Sequence, residues 1–252
     1  MAAPEFRLDG EVVVVVGASR GIGAAVALAC AQAGAREVVL LGRDPAALVP
    51  VGHDVEVWGA RATSIGCDVT TKASIEVAFA RMERADVVVY NAGVNQPEPF
   101  LEVEVETLDR LIAVNLRGAF LVAQAAVAKM LEGGRGGTIV TISSQMGHVG
   151  AARRTAYCAT KHAVEGLTKA LAVEHAADGI RAVTIAPTFV RTAMTAPQLD
   201  DPETGPALLS QIPQGRFGTP EEVAAAVVFV ASPAAALMTG TSLVLDGGWT
   251  AR

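Results

Sequence analysis

Cysteine, aromatic residues and positive charge are all in short supply in this chain, and each shortage removes a class of protein. The 252 residues contain three cysteines, Cys30, Cys67 and Cys158, an odd number with no CxxC spacing, so neither a disulfide framework nor a zinc site is indicated. Phe, Trp and Tyr make up 4% of the sequence while 51% is hydrophobic, rich in alanine and valine, a composition that suits helices packed closely on a buried sheet. Lysine and arginine number 20 against 26 acidic residues, and a net charge of -6 offers no broad attraction to nucleic acid or to an anionic membrane. Long apolar runs are missing near the C-terminus, where residues 223–231 are stopped by Ser232 and Pro233, far short of the ~20 residues that a membrane span needs. The first ten residues carry Pro4, Glu5, Arg7 and Asp9 where an export signal needs an apolar core, which predicts a cytoplasmic protein. No linker, repeat or low-complexity segment divides the chain, so residues 1–252 are expected to form a single domain.

What the sequence does have is alternation. Val12–Val16 is a continuous apolar run, too short for a helix and followed by Gly17, as expected of a strand buried on both faces. Residues 21–32 then read as a helix that ends near Gly34. Further strands are expected at 37–41, 62–67, 86–90, 138–143, 180–186 and 241–245, and further helices at 45–49, 73–83, 108–131, 155–177 and 220–231. Strands that follow helices at this spacing indicate right-handed crossovers. The expected fold is therefore α/β, a doubly wound parallel sheet of about seven strands with helices on both faces. The stretch 187–218 carries five prolines (Pro187, Pro197, Pro202, Pro206 and Pro213) and little apolar periodicity, which predicts a lid around 188–218 over a functional site.

The first strand runs into Gly17-Ala18-Ser19-Arg20-Gly21-Ile22-Gly23, three glycines where a backbone turns sharply toward a helix N-terminus. Free N–H groups and the helix dipole make such a turn a site for a dinucleotide pyrophosphate. Farther on, Tyr157 and Lys161 stand at i and i+4 on a predicted helix, so both side chains address the same small volume. A phenol is a poor base at neutral pH; an adjacent ammonium favours its phenolate and is expected to pull its pKa down.

The G-x-x-x-G-x-G spacing resembles the classical short-chain dehydrogenase/reductase family, and so do Asn91-Ala92-Gly93 after the fourth strand, Asn115 within Val114-Asn115-Leu116, and Ser144 placed thirteen residues before a Tyr157-x-x-x-Lys161 pair. The resemblance covers nearly the whole chain and implies a Rossmann-type fold with Asn115, Ser144, Tyr157 and Lys161 as catalytic residues. In that reading Tyr157 exchanges a proton with the substrate oxygen and Ser144 holds that oxygen. Lys161 also binds the nicotinamide ribose, and Asn115 holds a water that relays protons to solvent. Ser143 rivals Ser144, since neighbouring strand residues point to opposite faces and only one can serve. The resemblance also implies cofactor contacts from Gly17, Ser19, Arg20, Gly21, Ile22 and Gly23, from Asp68 and Val69 at the adenine, from Asn91, Ala92 and Gly93, and from Pro187, Val190 and Thr192 near the carboxamide. Asp68 has an alternative role as a helix N-cap. Three positions depart from the family pattern, Val16, Tyr90 and Thr188.

Cofactor choice is read at the end of the second strand. Gly42 stands where an acidic residue would select NAD, and Arg43 follows it, so Arg43 and Arg20 are positioned to clamp a 2′-phosphate. NADP(H) is favoured; NAD(H) remains open through Asp44. The implied activity is that of an NAD(P)-dependent oxidoreductase moving a hydride between nicotinamide and a carbonyl or secondary alcohol. A 3-oxoacyl thioester or small ketone reductase is the first reading, a sugar or sugar-acid dehydrogenase the alternative, and a dinucleotide-sensing protein the non-enzymatic one. Substrate specificity is expected from residues 95–99, 145–154 and the lid, with His148, Arg153 and Arg154 as candidates for a carboxylate or polyhydroxylated ligand. Family resemblance further implies a homotetramer.

Overall fold

The computed structural model describes residues 6–251; the first five residues, which belong to the segment read for an export signal, lie outside that range. The chain runs β1 (Val12–Val16), α1 (Gly21–Gln32), β2 (Glu37–Gly42), α2 (Val49–Val57), β3 (Arg61–Gly66), α3 (Lys72–Ala80), β4 (Val87–Tyr90), α4 (Val105–Leu111), α5 (Ala119–Gly133), β5 (Gly137–Ile142), α6 (Thr155–His175), β6 (Ile180–Pro187), α7 (Ala196–Leu199), α8 (Thr204–Leu209), α9 (Pro220–Ala231) and β7 (Thr241–Leu245). The seven strands form one parallel sheet in the order β3-β2-β1-β4-β5-β6-β7. The order reverses between β1 and β4, and a crevice is expected at the carboxyl ends of the strands there.

The five valines of β1 are buried because the sheet is covered on both sides. On one face Val13 and Val15 meet Val26 and Cys30 of α1 and Val223 and Val227 of α9. On the other, Val14 and Val88 meet Phe79 of α3, Val122 and Ala126 of α5 and Val164 of α6. Helix α9 starts on a capping box, Thr219 accepting from Glu222 N–H while the Glu222 carboxylate accepts from Thr219 N–H, with Pro220 in the first turn.

Two expectations need revision. The helix expected at 45–49 is a short 3-10 turn at Ala46–Leu48 followed by α2, which runs through Pro50 and Gly52. Pro50 sits in the first turn of α2, where its missing N–H costs nothing. The helix expected at 108–131 spans Val105–Gly133 but widens into a π-turn at Ile112–Gly118. This run is long and apolar enough by composition to cross a membrane, yet Val122, Ala123, Ala126, Val127 and Met130 of α5 are buried on the sheet side. The segment read as a lid holds two short helices, α7 and α8, and a bridge joins Val190 to Gly218 at its base.

Candidate active site

A cleft of about 580 Å³ opens at the carboxyl ends of β1, β2, β4, β5 and β6. A second hollow, of about 670 Å³, lies at the opposite edge of the sheet among Arg7, Asp86 and Arg181. There Arg181 is committed to the carbonyls of Val230, Ala235 and Met238, which is structural work. The first cleft is therefore the candidate site, as the strand order requires.

Its outer end is made of backbone. Gly17 and Gly21 adopt φ of +82° and +57°, open to glycine at little cost. At Gly23 a Cβ would stand 2.1 Å from Gly17 O, so only glycine lets α1 approach the turn. Asn91 Nδ2 donates to Gly17 O at 2.9 Å and ties the end of β4 to that turn. Ser19, Arg20 and Ile22 line the cleft beside it, as do Ala92 and Gly93. The α1 N-cap, Arg20, gives no side-chain cap, so the first amides of α1 face the cleft unanswered by side chains.

Arg20 and Arg43 are exposed on the rim, and among the described residues neither side chain makes a hydrogen bond or ion pair. Asp44 is turned away, its Oδ1 accepting from Ala46 N–H at 3.0 Å. Asp68 Oδ1 accepts from the backbone and hydroxyl of Thr70, and these bonds, with help from the Arg43 charge, hold its carboxyl below the usual range. Thr71, not Asp68, is the N-cap of α3, which removes the capping alternative. Val69 lines the same end of the cleft.

The inner end is built from buried side chains. Tyr157 and Lys161 share a face of α6, with Lys161 Nζ 5.6 Å from the centre of the Tyr157 ring. Lys161 is 5% exposed and donates to Ile142 O at 2.9 Å. Ser144, at the turn after β5, accepts from Met146 N–H at 3.1 Å and lies beside the Tyr157 phenol, on which it acts to lower the pKa. Ser143 Oγ is buried without a partner under Gly147. Of the two adjacent serines, Ser144 is the one beside the phenol. Asn115 sits in the π-turn at 1% exposure; its Oδ1 accepts from Val94 N–H and its Nδ2 donates to Val94 O and Thr160 Oγ1. Pro187, Val190 and Thr192 form the third wall, where Thr192 closes to 3.4 Å from the position of a Cβ on Gly21.

Charge in this inner end departs from expectation. Burial pushes the Tyr157 phenol up to about 12, against the Ser144 hydrogen bond and the Arg154 charge that pull it down. Burial also brings Lys161 down to about 8, with Glu165 opposing. The expected lowering of the tyrosine by its lysine is overridden in the protein alone, because both groups lose water together and the charged form of each is disfavoured.

None of the three specificity candidates lines the cleft, and Arg154 approaches it only through its hydrogen bond to Gln198. His148 Nε2 turns to Ser242 Oγ (3.0 Å) and Glu165 (3.4 Å) on the far side of α6, and Arg153 is exposed at a strained turn. Gln198, on α7, lines the cleft from the segment expected to set specificity, whereas sequence reasoning missed Arg110 on α4, since its arrival depends on docking that no local pattern encodes.

Comparison with known proteins agrees with this geometry. The family described as enoyl-(acyl carrier protein) reductase matches residues 17–250. A D-threitol dehydrogenase from Mycolicibacterium smegmatis is 43% identical over 98% of this chain and 96% of its own length. An L-rhamnose 1-dehydrogenase (NAD(P)(+)) from a Sphingomonas species is 35% identical over 96% of each chain. The crystal structure of a gluconate 5-dehydrogenase from Burkholderia cenocepacia, solved with NADP and tartrate, superposes with a TM-score of 0.94 at 33% identity over 100% of both chains. A parallel seven-stranded sheet, a glycine turn at its switch point and a Ser–Tyr–Lys cluster, together with these matches, place the chain in the short-chain dehydrogenase/reductase family of oxidoreductases.

Proposed function

We propose that the protein is an NADP(H)-dependent dehydrogenase that oxidises a secondary alcohol of a small polyol or sugar acid and reduces the corresponding ketone. The observation that carries this reading is the convergence of Ser144, Tyr157 and Lys161 at the deep end of a cleft whose rim holds two arginines without ion-pair partners. When bound, the nicotinamide supplies or accepts the hydride.

The cradle fits a dinucleotide, since a Cβ at Gly23 would fill it. Gly17, Gly21 and Gly23 with the α1 N-terminus would hold the pyrophosphate, Arg20 and Arg43 the 2′-phosphate, and Asp68 and Val69 the adenine. Lys161 would hold the nicotinamide ribose, and Pro187, Val190 and Thr192 the carboxamide. Tyr157 gives a proton to the substrate oxygen in reduction and takes one in oxidation, while Ser144 Oγ holds that oxygen by a hydrogen bond. Asn115 has both Nδ2 hydrogens committed, so a relay water would use the second lone pair on its Oδ1. With Tyr157 raised to about 12, oxidation is expected to quicken as pH rises, because the phenolate is the base.

The cleft walls favour a hydroxyl-rich substrate over an acyl chain. Gln145 Nε2 and Thr188 Oγ1 are buried, line the cleft and lack partners among the described residues. Substrate hydroxyls would satisfy them, whereas a hydrocarbon chain would leave them unpaired. The named relatives act on D-threitol, L-rhamnose and gluconate. A panel of tetritols, hexitols, aldonates and 3-oxoacyl thioesters, followed by nicotinamide absorbance with NADP(H) and NAD(H), tests the assignment. Fastest turnover with the thioesters would replace it by the acyl reductase reading.

The proposal includes a cytoplasmic homotetramer without nucleic-acid or membrane partners. Exposed Phe120 and Leu131 on α5, Val173 on α6, and Leu237 and Val244 around β7 give apolar surface where two subunit contacts would fall. Sedimentation of a monomer at micromolar concentration would remove the assembly.

A further inference from the structure

Among the described residues, Arg153 is the one non-glycine with positive φ, 59°. Its strained turn directly precedes α6 and aims the Arg153 carbonyl at two donors, Glu98 N–H (3.0 Å) and Arg154 Nη1 (3.3 Å). Arg154 is 6% exposed. Its Nη2 donates to Gln198 Oε1 on α7 at 3.4 Å, and its Nε has no partner. No carboxylate among the described residues pairs with this guanidinium. Burying a cation without a counter-ion is costly, and such a cation beside a cleft marks a functional site.

Its charge acts on Tyr157, favouring the phenolate. Arg154 is the N-cap of α6, with Tyr157 three residues and Lys161 seven residues farther along, so the phenol lies in sequence between two buried cations at the start of one helix. The remaining groups that act on the phenol are Ser144, from the turn after β5, and the Cys158 thiol on α6. The wall formed by α7 and its approach offers the neutral Gln198, Thr192 and Met194. We infer that Arg154 is a second cation of the Tyr157 site, latched in place by Gln198, and that the Tyr157 phenolate is the anion its buried charge lacks. Arg154 acts through Tyr157 and is a positioning residue, so the inference rests on Tyr157 as the proton-transfer group.

The chain has two tyrosines, Tyr90 and Tyr157, so tyrosine isotopically labelled at Cζ gives two resonances, which Tyr157→Phe assigns. Titrating the protein without cofactor or substrate reads the phenol directly. Arg154→Gln keeps a hydrogen bond to Gln198 and removes the charge; Arg154→Lys keeps the charge. The Tyr157 resonance is expected to begin moving roughly one pH unit higher in Arg154→Gln than in the wild type, with alcohol oxidation at fixed pH about tenfold slower. Arg154→Lys is expected to follow the wild type in both. Coincident curves for wild type and Arg154→Gln, or equal displacement by Gln and Lys, overturn the inference. Gln198→Ala carries the same test without touching the buried charge: release of the latch raises the onset, and an unchanged onset also overturns it. A protein that turns over no alcohol or ketone would sink the dehydrogenase reading, while the resonance titration would still decide the role of Arg154.

Discussion

The two ends of the cleft use opposite physical means. The rim is built from backbone and exposed charge: a turn that admits only glycine at Gly23, free amides on α1, and the guanidiniums of Arg20 and Arg43 in solvent. The floor is built from buried titratable side chains, and burial governs their charge, with Tyr157 pushed up to about 12 and Lys161 brought down to about 8. A rim of this kind attracts and seats a multiply charged ligand without storing energy in the protein. The floor holds groups poised to exchange protons, at a cost in stability. Binding and chemistry should therefore separate under mutation.

The largest expected effect on cofactor binding is at the rim. Gly23→Val puts carbon into Gly17 O, which is backbone and cannot yield, so NADPH affinity by fluorescence titration should fall more than ~100-fold and stability by about 1–3 kcal/mol. Retained affinity would show that the turn does not seat the dinucleotide. Next comes the pair Arg20→Ala/Arg43→Ala, expected to weaken NADPH by about 10- to 100-fold and NADH by less than about 3-fold. Equal losses on both nucleotides would reverse the cofactor preference.

A smaller effect with an unusual sign belongs to the floor. Lys161 in the folded protein binds its proton less tightly than the unfolded chain does, about 8 against 10.5. The stability penalty is therefore present in full below about pH 8 and fades as pH rises through 10.5. Lys161→Met should be inactive yet melt later than the wild type at neutral pH, by an amount on the order of 1–3 kcal/mol. Earlier melting would mean that the Ile142 hydrogen bond outweighs the buried charge. The smallest expected change is Asp44→Ala, which removes a turn cap worth about 0.5–1 kcal/mol and leaves both cofactor affinities within about 3-fold. Selective loss of NADH would make Asp44 a ribose ligand.

Legibility in the sequence follows the same division. The five valines of β1, the glycine spacing and the Tyr157–Lys161 pair are local patterns, and each sits where its period places it. The choice of Ser144 over Ser143 follows from strand alternation once the tyrosine spacing is known. The resemblance implies a helix bend at Asn115, but its π form was not legible: the Tyr90 hydroxyl donates to Val114 O within the widened turn, and Gly118 leaves room for that ring, contacts between segments far apart in the chain. Helix α2 was hidden by Pro50 and Gly52, which punctuate most sequences but here start a helix and pack against Ala62. The direction of the Tyr157 shift was misjudged because a sequence displays neighbouring charge and conceals loss of water. The same concealment covers Arg154, whose significance depends on its depth.

The separation of binding from chemistry is tested most directly by Tyr157→Phe, with turnover of the best alcohol substrate and NADPH dissociation measured on the same preparation. Removal of one hydroxyl from the floor should cut kcat by about 10³-fold and leave NADPH affinity within about 2-fold of the wild type. Near-normal turnover, or an affinity loss as large as the rate loss, would contradict the account.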